Sequence, residues 1–243
     1  MSETGEMEKI TTEFRNQGEK EKYKEERLAA YEDWLQTLEN QVQEGKMELV
    51  DKNRKIARNL LARDLQVNRY REQAKRDFLT NLPNKRAFKE KYKTTIGRGV
   101  PFGMLLVDVD HFKKVNDEYG HLTGDKVLIQ MGLIMTSNLR ETREKENFDV
   151  IARIGGEEFG ILLPGVKSNV DLDNVAKRIK SSFDDPLFVK VGGEGKKVPI
   201  TISIGGGLYQ GEEVEQFFDK VDQGALYQAK VQGRNRIVIL PTK

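Results

Sequence analysis

The sequence contains no cysteine and only two histidines, His111 and His121. The lack of cysteine excludes disulfides, thiolate zinc sites, iron–sulfur clusters and thiol nucleophiles. A histidine-rich metal site is also disfavoured, because only two imidazoles are available. Carboxylates are therefore the expected metal ligands, and their oxygens suit hard cations such as Mg²⁺.

Long apolar runs and a large excess of one charge are missing too. No stretch approaches the roughly 18 apolar residues that a membrane span requires, and the first residues lack the basic and apolar regions of a signal peptide. The 41 basic and 39 acidic residues leave a net charge of +2, so no strong field attracts nucleic acid or anionic lipid. We therefore expect a cytoplasmic protein without a membrane or nucleic-acid partner.

The region from Lys20 to Arg76 has no proline and a single glycine, and it is rich in helix-forming residues. Apolar residues recur there every seven positions, which is typical of a coiled coil: Leu28, Leu35, Val42, Leu49 and Ile56. The pattern predicts a long helix over residues 20–76 that forms a parallel homodimer. The alternative is a single amphipathic helix folded back on the globular domain that follows it.

After Ile56 the apolar series continues as Leu60 and Val67, so the alternation of three- and four-residue steps is kept only if two four-residue steps fall together near Leu49–Ile56. Such a stutter locally unwinds a supercoil. Our hypothesis is that a change of register at this point switches activity. Residues 1–19 are polar and are predicted to be disordered or to extend the helix, so an input signal would come from an upstream domain or a partner protein.

The pattern changes at residue 77, and we assign residues 77–243 to a globular domain in which glycines separate short apolar stretches. Alternating elements predict an α+β sandwich. Strands are predicted near 103–109, 150–154, 158–163, 198–205 and 236–240, and helices over 85–95, 124–139, 169–183 and 213–231. The segment 191–197 is predicted to be a hairpin loop.

Two groups of acids stand out within this domain. An apolar strand ends in Asp108-Val109-Asp110, and Gly155-Gly156 precedes Glu157-Glu158. The glycine pair predicts a tight hairpin with positive φ. Either group alone is more often a solvated strand end, but together they suggest a metal centre.

In order and spacing, a series of motifs resembles the GGDEF family of diguanylate cyclases. The resemblance extends from Asp77-Phe78-Leu79-Thr80 to Gly233-Arg234-Asn235-Arg236, and its central blocks are Asp108–Lys113, Asn116-Asp117, Tyr119-Gly120-His121, Gly124-Asp125 and Gly155–Phe159. It implies a ferredoxin-like fold similar to nucleotidyl cyclases and polymerase palms. The implied reaction joins two GTP molecules into cyclic di-GMP in a dimer.

The resemblance also implies a role for individual residues. Asp108, the Val109 carbonyl and Glu157 would bind two Mg²⁺ ions, for which Mn²⁺ is a substitute, with Glu157 as catalytic base and Glu158 supporting the same centre. Asn116, His121 and Asp125 would bind guanine, and the remaining residues would bind phosphate: Phe112, Lys113, Lys230 and Arg234.

A carboxylate such as Asp125 can accept both the N1–H and the 2-amino group of guanine, whereas adenine offers neither donor there. This favours GTP over ATP. Without the resemblance, Asn116 and Asp125 could simply serve a turn and a helix cap, and Lys230 could be a favourable helix-end charge.

The chain departs from the family at the inhibitory product site, where Asp149 is retained but Glu146 replaces an arginine. A glutamate repels the phosphates of the product, so we expect this feedback site to be weak or absent. The competing hypotheses are a catalytically inactive nucleotide receptor and a coiled-coil scaffold, of which the second leaves the acids unexplained.

Overall fold

A computed structural model of the protein describes residues 17–42, 47–139 and 148–242. The chain divides into two compact units between Ala74 and Lys75. The sequence prediction places this boundary between residues 76 and 77.

The first unit contains two helices, α1 (Gln17–Val42) and α2 (Met47–Gln73). Arg27 of α1 forms an ion pair with Asp64 of α2, and Glu39 of α1 forms one with Arg54. Because early residues of α1 pair with late residues of α2, the two helices run antiparallel.

The predicted helical character of this region is confirmed, but the predicted continuous helix over 20–76 is replaced by two helices, and residues 43–46 lie outside the described ranges. An amphipathic helix buries its apolar stripe against another surface. Within a single chain, α1 and α2 are the nearest such surfaces for each other. The interval also contains Gly45, and glycine has a low helix propensity.

The second unit is built on a five-stranded sheet in the order β2-β3-β1-β6-β7. The central strand β1 is antiparallel to β3 and β6, whereas β6 and β7 are parallel. The strand bounds are β1 Phe102–Val109, β2 Val150–Arg153, β3 Glu158–Pro164, β6 Ile202–Leu208 and β7 Ile237–Ile239; β4 (Leu187–Val191) and β5 (Glu194–Val198) form a separate hairpin.

Helices cover both faces of this sheet. All eight residues of β1 are buried, and they alternate between two cores because successive side chains point to opposite faces. Leu105 belongs to the core that includes side chains of α5 and α6, and Leu106 to the core that includes side chains of α3. The helices are α3 Lys85–Gly97, α4 Phe112–Tyr119, α5 His121–Ser137, α6 Asn169–Ser181, α7 Val214–Asp219, a π-helix Lys220–Leu226 and α8 Tyr227–Val231. The predicted α+β class is confirmed.

Several local predictions are wrong. The hairpin predicted at 191–197 is present, but most of this segment is strand β5 and not loop. The sequence hides this strand because four of its five residues are exposed. The predicted helix 213–231 is interrupted by the π-helix, and the strand predicted from Val198 begins at Ile202. Helix α4 was not predicted, since its eight residues are short for a periodicity argument.

Gly205 of β6 lets the π-helix approach the sheet closely. A Cβ at this position would lie 2.2 Å from the backbone nitrogen of Leu226. We expect Gly205→Ala to lower the free energy of unfolding by about 3 kcal/mol, because backbone atoms cannot move aside as a flexible side chain can.

Urea denaturation would measure this effect. The matched control is Gly97→Ala, since a Cβ there has nothing within 4 Å. The control should leave stability unchanged or raise it by under about 1 kcal/mol. Equal stability of the two variants would contradict the close approach.

Candidate active site

The end of strand β1 carries the buried carboxylate of Asp108, which is 8% exposed. Its neighbours across the sheet are Glu158 on β3 and Ser203 on β6. The Lys230 Nζ lies 2.7 Å from the Asp108 Oδ2. This contact brings two residues that are 122 positions apart to the same edge of the sheet.

Burial raises the pKa of Asp108 to about 6, although the Lys230 ammonium opposes the rise. The nearby Glu157 and Glu158 carboxylates raise this pKa further. Three acids therefore interact electrostatically around one strand end. Such a group favours binding of a cation, which would relieve the repulsion between the carboxylates.

We expect binding of a divalent cation at this strand end to depend on pH. Because only the ionised carboxylate binds a cation, the Mg²⁺ concentration for half-maximal activity should rise by roughly tenfold for each pH unit below the Asp108 pKa. In metal-free protein, a fall in pH has the opposite effect and favours the folded state. Because the pKa of Asp108 is higher in the folded than in the unfolded chain, protonation of Asp108 stabilises the fold as pH falls from about 6 towards 4.

Magnesium titrations of activity between about pH 5 and pH 8 would test this dependence. Thermal unfolding without metal over the same range provides the control for loss of folded protein. A metal requirement that stays constant down to about pH 5 would contradict the assigned role of Asp108.

The hairpin between β2 and β3 brings Glu157 and Glu158 to the same strand end. The Ile154 N–H donates to the Glu158 carbonyl at 2.9 Å, and the Val109 N–H points at the Glu157 carbonyl at 3.4 Å. The predicted positive φ is wrong: neither Gly155 nor Gly156 has one. The missing Cβ of Gly155 instead leaves room for the Glu158 side chain, because a Cβ there would lie 2.4 Å from the Glu158 Oε2 and would displace that carboxylate.

The donor set at this edge combines the carboxylates of Asp108 and Glu157 with the Val109 carbonyl. These are hard oxygen ligands, which suit a divalent cation such as Mg²⁺. Among the described residues, no group of three or more acidic, histidine or cysteine side chains is assembled to hold a metal. A cation at this edge would therefore need backbone or substrate oxygens in addition to these side chains.

The predicted guanine-binding residues lie where α4 meets α5. A Cβ at Gly124 would lie 1.9 Å from the Asn116 Oδ1, so the Asn116 amide rests against the start of α5. Asp125 is next to Gly124 in the sequence, and His121 is four residues earlier on the same helix. Residues four apart share one helix face, so the structure brings the three predicted residues into one region.

The predicted phosphate-binding residues lie in two segments. Phe112 and Lys113 begin α4, directly after His111, whose φ is 55°. Lys230 lies in α8. Arg234 lies three positions beyond the end of this helix and has a φ of 60°. Because Lys230 reaches Asp108, the second segment lies at the end of β1, where the first segment begins.

Sequence reasoning gave no role to Asp110, although this residue belongs to the quoted Asp-Val-Asp motif. Asp110 is 5% exposed. Its carboxylate accepts hydrogen bonds from the hydroxyls of Thr201 and Ser203 at 2.7 and 2.6 Å, and from the Asn235 N–H at 2.9 Å. The sequence indicated this role only through the presence of a second acid in the motif, for which no ligand or hydrogen-bond partner had been predicted.

A second unpredicted feature connects the hairpin with the turn at residues 77–80. Arg153 donates to the Gly156 carbonyl at 2.6 Å and to the Asp77 carboxylate at 3.0 Å. Burial alone would raise the pKa of Asp77, but hydrogen bonds from Thr80 and Arg153 outweigh it and lower that pKa. The Arg153 guanidinium thus ties the start of the second unit to the acidic hairpin.

The predicted product site cannot be assembled from the described residues. Asp149 is 9% exposed, whereas Glu146 lies outside the described ranges.

No helix among the described residues combines the length and apolar character that crossing a membrane requires.

Comparison with known proteins identifies the second unit. A family model described as "Diguanylate cyclase, GGDEF domain" matches residues 74–236. YhcK of Bacillus subtilis, an uncharacterized protein, is 38% identical over 183 residues, which are 71% of this chain and 47% of YhcK. The diguanylate cyclase DgcP of Pseudomonas aeruginosa is 36% identical over 174 residues, 70% of this chain and 24% of DgcP. The chain therefore spans less than half the length of these curated relatives.

Solved structures extend the similarity towards the N-terminus. The diguanylate cyclase SiaD of Pseudomonas aeruginosa, solved with its activator SiaC, is 32% identical with a TM-score of 0.61, covering 93% of this chain and 88% of SiaD. The coiled coil and GGDEF domain of DgcB from Caulobacter crescentus, solved with c-di-GMP, is 25% identical with a TM-score of 0.67, covering 80% of this chain and 98% of that one. These matches confirm the resemblance drawn from the motifs.

Proposed function

Because this chain belongs to the GGDEF family of diguanylate cyclases, we propose that it condenses two GTP molecules into cyclic di-GMP and releases two pyrophosphates. The observation that carries this proposal is the contact of Lys230 with Asp108 at one end of the central strand, where burial and the Glu157 and Glu158 carboxylates raise the pKa of Asp108. Carboxylates there can hold divalent cations, and the lysine can contact a phosphate.

In this proposal, Asp108, Glu157 and the Val109 carbonyl hold two Mg²⁺ ions, or Mn²⁺ in their place. The cations supply charge neutralisation at the α-phosphate and lower the pKa of the attacking hydroxyl. Glu157 takes the proton of the 3′-hydroxyl and later passes it to solvent. Glu158, whose side chain lies beside Gly155, adds negative charge that favours cation binding.

The substrate is held at both ends by residues of this chain. The Asp125 carboxylate accepts the N1–H and the 2-amino group of guanine, and Asn116 binds the same edge, with His121 beside them. Lys230 and Arg234 pair with the triphosphate, and the backbone N–H groups of Phe112 and Lys113 add hydrogen bonds to it. The 3′-oxygen of one GTP attacks the α-phosphorus of the other, and the bond to pyrophosphate breaks.

Cyclic di-GMP has two identical phosphodiester links, so two copies of the site facing each other form the symmetric arrangement. Each copy would bring one GTP. The N-terminal helices offer a surface for this dimer, because apolar side chains of the heptad region remain exposed in the single chain: Leu28, Ile56, Leu60 and Val67.

The same helices are the proposed point of control. SiaD was solved with its activator, and its similarity to most of this chain suggests that an activator protein acts here as well. The input reaches the catalytic unit through the turn at Asp77. Arg153 forms an ion pair with Asp77 and connects this turn to the hairpin. The proposed location is the cytoplasm, where GTP is available.

Incubation of the full chain with GTP and Mg²⁺, followed by detection of pyrophosphate and cyclic di-GMP, tests this function. We expect both products from GTP and neither from ATP. A dimer that binds GTP and forms no product, with or without an activator, would instead support a catalytically inactive receptor. Product inhibition that disappears on Asp149→Ala would contradict the weak feedback site expected from Glu146.

A further inference from the structure

We infer that Asp110 is a positioning residue that holds Arg234 in place for the triphosphate, an inference that rests on the proposed function. Asp110 follows β1 and is buried, and its carboxylate is held by hydrogen-bond donors, whereas that of Asp108 contacts the Lys230 ammonium. All three of its side-chain partners are donors on other elements: the hydroxyls of Thr201 and Ser203 and the N–H of Asn235.

The segment that Asp110 contacts has an unusual backbone. Gly233, Arg234 and Asn235 are consecutive residues with φ of 114°, 60° and 48°. Non-glycine residues adopt positive φ at a cost of roughly 1–2 kcal/mol each, so they stay there only when their surroundings hold them. Two successive non-glycine residues of this kind need firm anchors.

The anchors lie on both sides of Arg234. Its own N–H donates to the Ala229 carbonyl at 3.0 Å, which fixes the segment to α8. The Asn235 N–H donates to the Asp110 Oδ2 at 2.9 Å, which fixes it to the end of β1. The Asp110 bond is charge-assisted and partly buried, and charge-assisted hydrogen bonds are stronger than neutral ones.

Asp110 itself is held firmly. Its N–H donates to the Thr201 carbonyl at 2.9 Å, while the Thr201 and Ser203 hydroxyls bind separate oxygens of its carboxylate. This orientation leaves Oδ2 directed at Asn235. The two acids of the Asp-Val-Asp motif thus contact the same segment at different points, Asp108 at Lys230 and Asp110 at Asn235.

The role of Asp110 follows from this arrangement. The Arg234 side chain is exposed, so no packing fixes it, and its backbone must determine where the guanidinium can reach. If the Asn235 anchor is lost, the segment can relax from positive φ and carry Arg234 away from the triphosphate. Binding of the phosphates should then weaken, while recognition of guanine by Asn116 and Asp125 should not change.

The test is a double-mutant cycle of Asp110→Ala and Arg234→Ala, with binding measured for the unreactive α,β-methylene analogue of GTP and for guanosine. Each single variant should weaken analogue binding by roughly tenfold, the usual effect of losing a charge-assisted hydrogen bond. The double variant should bind no more than about twofold more weakly than Arg234→Ala alone, because both changes remove the same interaction. Guanosine affinity should stay constant throughout.

Two further variants separate positioning from general stability. Asp110→Asn should bind the analogue within about threefold of the unmodified protein, because its amide oxygen can still accept the Asn235 N–H while the Ser203 hydroxyl turns to accept from the amide nitrogen. Asp173→Ala, which changes the charge equally in α6 and breaks only an ion pair with Lys177, should have no effect on binding.

Additive effects in the cycle, or an equal loss of guanosine binding, would overturn the inference. If Asp110→Ala does not fold, Asp110→Ser replaces it with the same expectations, since its hydroxyl is too short to reach Asn235. Failure of the proposed function gives a different result: the unmodified protein would bind no GTP analogue, or would bind the ATP analogue equally well, and the inference would fall with it.

Discussion

Glu157→Gln is expected to lower the rate of cyclic di-GMP formation by roughly a thousandfold, within the range that loss of a general base produces. Glutamine keeps the size of the side chain but cannot take the proton of the 3′-hydroxyl, and it is a poorer ligand for a divalent cation. Both effects act on the same step, so the loss should appear mainly in kcat.

The matched variant is Glu158→Gln, which removes the neighbouring charge of the same hairpin. Since Glu158 supports the centre without carrying the proton, its loss should be smaller, roughly tenfold to a hundredfold. Binding of the unreactive GTP analogue checks that both variants still form the substrate site. A rate for Glu157→Gln within about tenfold of the unmodified protein would exclude it as the base.

Glu157→Gln also tests the electrostatics of the strand end independently of turnover. The Glu157 charge contributes to the raised pKa of Asp108, so its removal should move that pKa down. NMR titration of the carboxyl carbons would follow the change in metal-free protein. A rise in the Asp108 pKa would contradict the proximity of the two carboxylates.

The sequence predicted the second unit well because β1 and the hairpin carry strong local signals. An apolar run that ends in Asp108 must place this acid at a strand end, and the period of two fixes which residues face each core. The pairing of Asp108 with Glu158 across the sheet did not follow from the strand itself. It entered through the resemblance, which joins motifs that are distant in sequence.

Other features could not be predicted because they depend on contacts between distant segments. The Asp110–Asn235 bond spans 125 positions and the Arg153–Asp77 pair spans 76, and nothing local to these residues identifies the partner. The positive φ of Arg234 is equally hidden, since arginine rarely adopts it. At Gly155 a positive φ was predicted and is not observed. The missing Cβ instead leaves room for the Glu158 side chain.

The N-terminal unit shows a further limit. Heptads specify an apolar stripe but not the helix that covers it. The ion pairs of Arg27 with Asp64 and of Arg54 with Glu39 stabilise an antiparallel pairing within one chain, whereas the proposed dimer pairs helices between chains. Salt bridges at exposed positions contribute only about 0–1 kcal/mol each, so they do not by themselves prevent an exchange between the two pairings.

Removal of Lys52 and Asn53 is therefore expected to lower turnover by roughly tenfold or more. In the proposed dimer, the orientation of the catalytic unit of one chain relative to that of the other determines their effective concentration. Two residues correspond to a rotation of about 200° around the helix axis, which turns the C-terminal part of α2 away from its partner. Removal of residues 50–56 is the matched control: seven residues fall only about 20° short of two full turns, so the apolar stripe keeps its face.

The two deletions separate orientation from loss of helix length, because the larger one removes more of α2 and should disturb activity less. Light scattering would show whether each variant is still a dimer, and the rate at several protein concentrations would show whether added protein restores it. Equal turnover in the two variants would exclude control by helix register. A larger loss in the seven-residue variant would indicate that the antiparallel pairing, from which only that deletion removes Arg54 and its ion pair with Glu39, is the arrangement that supports catalysis.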